Sequence, residues 1–393
     1  MKKKFSRRRV RRFFTHFTVA VLAAVVTYLL CWKPEIQEVP STDKLEELQM
    51  LIDKYFVAEA DHQTLKDGAA AGMVSATGDQ WSYYIPASEY DAYTEQMENT
   101  YVGIGITISS EVKEEGYEIL LVEPDSGAEE AGIVPGDILL EVAGRNVAQM
   151  GMAAARDRIR GEENTSVGLT ILHQGQKQTV HVTRKKIEVA VAEAQMLEGN
   201  VGLVTINNFD ERCADETIAA IESLVEQGAK ALIFDVRFNP GGYKHELVKV
   251  LDYLLPEGPL FRSVTYDGKE TVDTSDAHCL ELPMAVLVNS SSYSAAEFFA
   301  AALDEYDYAV TVGQHTVGKS YFQNTFQLSD GSAVALSVGK YCTPNGVSLA
   351  EVGGLKPEVE VEVDDETAGK IYTGQLEPAD DPQIQAALEA LNQ

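Results

Sequence analysis

The chain has 393 residues, enough for two or three domains, and its 45% apolar content supports ordinary globular cores. Its formal net charge of −29 is unevenly spread: residues 1–33 carry nine Lys/Arg and no Asp or Glu, leaving 23 Lys/Arg against 61 Asp/Glu in the rest. So acidic a surface repels phosphates, which excludes nucleic acid as an expected partner. The four cysteines (Cys31, Cys213, Cys279 and Cys342) show no CxxC spacing, and the seven histidines form no HExxH pattern. The expectation is unpaired thiols, no metal and no cofactor.

Residues 1–12 form a basic segment. Residues 13–32, FFTHFTVAVLAAVVTYLLCW, carry no Lys, Arg, Asp or Glu and are long enough to span a bilayer. The positive flank should remain in the cytoplasm. The expectation is therefore a single-pass cell-membrane helix with everything C-terminal to it extracytoplasmic. A cleaved signal peptide is the rival reading. It finds no small-residue cleavage site, and Tyr28, Leu29 and Leu30 before Cys31 are too bulky for lipoprotein processing.

Residues 33–100 read as a polar linker and a helical segment. In KLEELQMLIDKYF, Leu45, Leu48, Leu51, Ile52 and Phe56 fit one helical face, with Thr42 or Asp43 as cap. A second helix is predicted near 64–76, ending at Gly78. Residues 101–188 alternate short strands with Gly/Pro/Asp turns, as in a small barrel, with a helix at MAAARDRIRG and a hairpin about Gln174-Gly175. From 189 to 365 the pattern becomes longer α/β alternation, with GLVTI, ALIFDV, AVLVNS and AVTVG as strands. Residues 366–393 are an acidic tail whose PQIQAALEALNQ suits a last short helix.

The most informative stretch runs from Val286 to Gln323. An apolar strand passes through a serine-rich loop into the helix AAEFFAAAL, which places Ser294 at a helix N-terminus, where backbone N–H groups can receive a developing oxyanion. The Ala295 amide is one candidate donor. The NPGG turn offers Gly241 or Gly242 as the other, because glycine lets backbone approach a substrate closely. Downstream, a glycine-flanked loop carries Lys319, with Gln323 four residues later.

This constellation resembles the carboxyl-terminal processing proteases, serine peptidases that use lysine as base. SYSAAE matches their nucleophile motif at Ser294, Lys319 lies 25 residues on in their "GK" pair, and Gln323 matches the glutamine that orients the lysine. Their serine two places after the nucleophile is Ala296 here. ALIFDVRFNPGG, VGLVTINNFDERCADE, GKYCTPNGVSL and LKDGAAAGMVSATGDQWSYY resemble other family segments, and Tyr101 to Lys186 resembles a PDZ domain; together these cover roughly residues 43 to 365.

The resemblance implies an α/β core of the crotonase/ClpP-like type, an inserted PDZ domain and an N-terminal helical segment. It implies a serine endopeptidase using Ser294, Lys319 and Gln323, acting on polypeptides bound through their C-termini, and it is compatible with a homo-oligomer. In the PDZ, the loop VGIGI would hold the terminal carboxylate on Gly103, Ile104, Gly105 and Ile106 while the peptide adds as a strand. Arg160, in the "IRG" turn, is a candidate reporter of PDZ position. Lysine can act as base only when neutral, so burial must lower it from its reference pKa of about 10.4. A Ser-His-Asp set using His315 with Asp304 or Asp307 is a weaker alternative, because His315 lies in the loop before Lys319. Ser290 to Ser292 are better suited to shaping the loop, and Glu305 to the surface. The non-enzymatic alternative is a membrane-tethered PDZ scaffold with an inactive core.

Overall fold

The computed structural model describes residues 43–113 and 115–392. The basic segment 1–12 and the expected anchor 13–32 lie outside the described residues. Among the described residues no helix is long and apolar enough to cross a membrane. The chain falls into two units, through residue 69 and from residue 70 onward. In the first, Asp43 caps the helix Lys44–Tyr55 by accepting the Leu45 N–H at 2.9 Å. His62, which opens the helix His62–Ser75, reaches back to Asp53 and Gln49.

In the second unit, three groups of strands matter. β1 (Tyr83–Ile85) precedes the helix Ala87–Met97, and β2 (Thr100–Gly103) then leads into the inserted module. That module holds β3 (Ile106–Lys113), β4 (Gly116–Val122), β5 (Ile138–Val142), β6 (Arg145–Asn146), β7 (Ser166–His173) and β8 (Gln176–Thr183). The chain leaves through β9 (Lys185–Glu188), which pairs antiparallel with β2. The sheet order β3-β4-β5-β7-β8 leaves β3 at an edge. Gln174 and Gly175, both at positive φ (47° and 78°), make the β7–β8 turn with the twist a two-residue hairpin needs. The module has its own core around Ile104, Ile119, Leu139, Leu169 and Ile171. Its two ends are pinned by Arg212, which donates to Glu98 O (3.3 Å), Val189 O (2.6 Å) and Glu216 (2.8 Å).

The central sheet runs β10 (Ala192–Leu197), β11 (Val201–Ile206), β12 (Ala231–Asp235), β15 (Met284–Val288), β16 (Ala309–Gly313) and β19 (Val359–Glu360), all parallel except β10. Every residue of β12 and β15 is buried, as unbroken apolar strands covered on both faces must be. One face packs against the helices Cys213–Glu226, Lys244–Leu254 and Ala295–Glu305; Phe209, Phe234 and Phe299 meet there edge-on or tilted at 5.4–5.6 Å. Burying each such ring contributes roughly 2–3 kcal/mol. The other face is covered by the C-terminal helix Pro382–Leu391 through Ile384 and Ala387. The acidic C-terminal stretch is therefore a structural layer. Asp381 caps that helix and pairs with the buried Arg237 at 2.8 Å.

A second sheet is built from β13 (Gly258–Thr265), β14 (Glu270–Ser275), β17 (Tyr321–Gln327) and β18 (Ala333–Cys342) together with β1. β18 is its spine, pairing with β1, β13 and β17. Phe261 and Tyr341 from this sheet close over Phe298 on the Ala295–Glu305 helix.

Candidate active site

Ser294 sits between β15 and the Ala295–Glu305 helix at φ 58°, ψ −123°, a backbone conformation that non-glycine residues rarely adopt. It is held there from below. The carboxylate of Glu297, fully buried, accepts Ser294 N–H (3.0 Å) and Lys319 N–H (2.6 Å) on Oε1, and the Thr316 hydroxyl and Gly318 N–H (both 2.8 Å) on Oε2. Burial raises this carboxyl, and the four donors work against that rise. One acid thus fixes the serine and lysine loops to each other.

Tyr341 supplies a second tie. Its hydroxyl donates to Lys319 O at 2.5 Å, on the side of the pocket where Ser294 lies. Burial pushes the phenol far above its usual range, so it stays protonated.

Lys319 is half-buried. Its amine lies 4.9 Å from the Trp81 ring centroid and 6.0 Å from that of Tyr293. Burial pushes its pKa down to about 8, against the opposing pull of Asp79 and Glu297. The amine therefore loses its charge in a pH range that ordinary lysines never reach. Gln323, on β17, donates through Nε2 to Tyr321 O (3.2 Å) and the Ser337 hydroxyl (3.0 Å).

The NPGG turn abuts the nucleophile. A Cβ on Gly241 would meet Ser294 Cβ at 2.7 Å and the Ala295 nitrogen at 2.9 Å. Gly241 N–H is already spent on Asn239 Oδ1 (2.8 Å), and Gly241 O accepts Phe209 N–H. Among the described residues, neither Ala295 N–H nor Gly242 N–H donates to a protein acceptor. Gly242 is exposed and crosses the backbone of Phe209 too closely for any side chain. Arg237 anchors the turn from beneath, bound to Asp235, Asp381 and Gln383.

Of the serines before Ser294, Ser290 and Ser291 are exposed, and Ser292 belongs to the scaffold. Ser292 is buried, donates to Val236 O (2.7 Å) and accepts Asn289 N–H. His315 is exposed, and Asp304 shares a proton-bearing contact with Glu358 that, after burial, raises it to about 6. Glu305 accepts from Thr343 and Asn345. The three described cysteines are free. Glu211, His245 and Glu246 bring one ligand atom each within 4.8 Å, but Glu246 is buried and taken by Ala214 N–H and Lys249.

In the inserted module, Gly103, Ile104 and Gly105 are buried and Ile106 opens the edge strand β3. Gly105 has φ 76°, and a Cβ there would meet Ser126 Cβ at 2.3 Å. The glycine is thus demanded by the module's own packing, whatever a ligand requires. Arg160 lies over the Tyr101 ring at 5.4 Å, and that ring packs on Gly103.

Sequence reasoning passed over Glu297, Tyr341, Asp79 and Trp81. Glu297 had a signal, being the glutamate of SYSAAE. The others come from segments remote in the chain. It also missed Asp210, a buried carboxyl raised to about 7 by burial and by Glu211; the Oδ1 of Asp210 has no hydrogen-bond partner among the described residues.

Residues 200–361 match peptidase family S41, and residues 118–172 match the PDZ domain. The chain is 32% identical to the carboxy-terminal processing protease CtpA of Bacillus subtilis, over 91% of this chain and 78% of that protein. The chain belongs to the carboxy-terminal processing proteases of peptidase family S41. A CtpA-like serine protease of Staphylococcus aureus is 29% identical over 88% of this peptidase and 70% of its own length. A solved S41 protease of Bacteroides fragilis shares the fold, with a TM-score of 0.54 at 17% identity, covering 86% of this peptidase and 92% of that chain.

Proposed function

We propose that this serine peptidase cleaves polypeptides by attack of Ser294 Oγ on the scissile carbonyl, with neutral Lys319 as general base. The observation that carries this reading is Glu297, which locks the Ser294 and Lys319 loops together beneath a lysine whose pKa burial has brought to about 8. The serine hydroxyl turns to the amine as substrate arrives. Lysine takes its proton and returns it to the leaving amine. Water then repeats the sequence on the acyl-enzyme. Ala295 N–H and Gly242 N–H are the two uncommitted donors beside the nucleophile and would receive the oxyanion. Gln323, whose Nε2 is held by Tyr321 and Ser337, would offer Oε1 to the amine.

The PDZ module would take a substrate C-terminus as an added strand on the free edge of β3. The Ile104 and Gly105 N–H groups, which donate to no protein acceptor among the described residues, would face its carboxylate. The uncharged stretch 13–32 would hold the peptidase to the membrane with its domains outside the cytoplasm. The test is hydrolysis of a long peptide by Ser294→Ala and Lys319→Ala. Each should lose at least about 10³-fold in turnover while keeping its unfolding transition; near-wild-type turnover in either removes the assignment.

A further inference from the structure

Two carboxylates influence the Lys319 amine, and they are differently placed. Glu297 has both oxygens committed to four donors. Asp79 is the stronger influence of the two on the amine, and it comes from the loop before β1, outside the matched peptidase segment.

That loop is firmly seated. β1 pairs with β18 at Tyr83 and Ala335, and Ser337 N–H donates to Ser82 Oγ at 3.0 Å. Asp79 accepts Trp81 N–H (3.1 Å) and the Ser82 hydroxyl (2.5 Å), contacts that an aspartate makes in any tight turn. Turn formation does not explain the rest. Ser82 donates its hydroxyl proton to Asp79 and accepts Ser337 N–H, and the Ser337 hydroxyl accepts from Gln323 Nε2, so two serines connect the aspartate to the glutamine. Two residues along, Trp81 lays its ring beside the amine and stacks on Tyr293, the neighbour of Ser294. Burial raises the Asp79 carboxyl, but Ser337, Ser82, Trp81 and the Lys319 charge outweigh it and hold the group ionised.

We propose that Asp79 is a positioning residue of the peptidase, seating the Trp81 ring beside the Lys319 amine and linking through Ser82 and Ser337 to the Gln323 amide. The proposal rests on Lys319 being the base. Four titratable groups face this lysine: Asp79 from the loop before β1, Glu297 from the Ala295–Glu305 helix, Tyr341 from β18 and Tyr293 from the nucleophile loop. Of these, Asp79 is the one whose charge can be removed while an oxygen remains to accept the Trp81 N–H.

The experiment compares Asp79→Asn, Ser337→Ala and Lys319→Ala in the full chain by kcat/KM against pH. In parallel, competitive acylation of the Lys319 amine, read by mass spectrometry in a Ser294→Ala background, follows its titration without catalysis. Loss of the anion should lower the acylation midpoint of Asp79→Asn by about one pH unit and move the rising limb of kcat/KM equally. Its plateau should fall about ten-fold as the turn that seats Trp81 beside the amine loosens. Ser337→Ala keeps the charge, so its plateau should fall with no change of midpoint. An unchanged midpoint in Asp79→Asn, with Lys319→Ala inactive, overturns the role of Asp79 alone. Near-wild-type turnover of Lys319→Ala overturns instead the reading of Lys319 as base.

Discussion

The loop around Ser294 and the loop around Gly105 solve the same backbone problem in opposite ways. Both turn at positive φ, 58° and 76°. Ser294 does so with a side chain, at a cost of roughly 1–2 kcal/mol, and is held down by a buried carboxylate. Gly105 adopts the conformation at no steric cost, and the strand after it has no neighbour on its outer edge. In the proposed mechanism, the difference separates a site that must be complete before substrate arrives from one that substrate completes. Attack on a carbonyl needs donors and base fixed in advance. Strand addition needs an unfilled edge.

The sharpest way to break that contrast is Glu297→Ala. It strands four donors around a cavity, each costing about 1–3 kcal/mol if left unpaired. Turnover should fall by about 10³-fold, and the unfolding free energy by about 3 kcal/mol or more in denaturant titration. A folded, active Glu297→Ala enzyme would mean that the serine conformation holds itself.

The pH–rate profile is next. With the Lys319 pKa near 8, and the neutral amine as the active form, kcat/KM should rise with pH through that value. Gln323→Glu adds an anion, raises the lysine and should move the limb to higher pH, opposite to Asp79→Asn. A limb unmoved by Gln323→Glu would place that side chain out of reach of the amine.

The smallest effect is expected at the PDZ edge. Gly105→Val is a poor probe, because its Cβ would collide with Ser126 and disturb the module itself. Amidating the C-terminus of one long peptide leaves the enzyme intact and removes the charge. The free acid should be cleaved about ten-fold faster, one or two charge-assisted bonds being worth this much. Equal rates would show that the carboxylate is not read.

The parts legible in the sequence were those written locally. The apolar runs at 231–235, 284–288 and 309–313 are long, charge-poor within and bounded by turns, and they are central strands. The Gln174-Gly175 hairpin follows from turn chemistry alone. The sheet formed by β1, β13, β14, β17 and β18 was mostly hidden, since its strands mix charged and polar residues and its first strand pairs with β18 across more than 200 positions. The same distance hid Asp79 and Trp81 from Lys319. The final helix was legible, but its place as a layer on the sheet was not, because Asp381 meets Arg237 only after folding. The proposed preference for Gly242 over Gly241 as oxyanion donor rests on one hydrogen bond, Gly241 to Asn239, that no spacing encodes.

The account stands or falls on Ser294 being activated by Lys319. The direct measurement is intact-protein and peptide mass spectrometry after treatment with an acylating or phosphonylating serine reagent, on wild type and Lys319→Ala side by side. One adduct on Ser294 in wild type, absent or at least about 10²-fold slower in Lys319→Ala, is the expected result. An adduct on Ser290, Ser291 or Ser292, or equal labelling of Ser294 without the lysine, would contradict it.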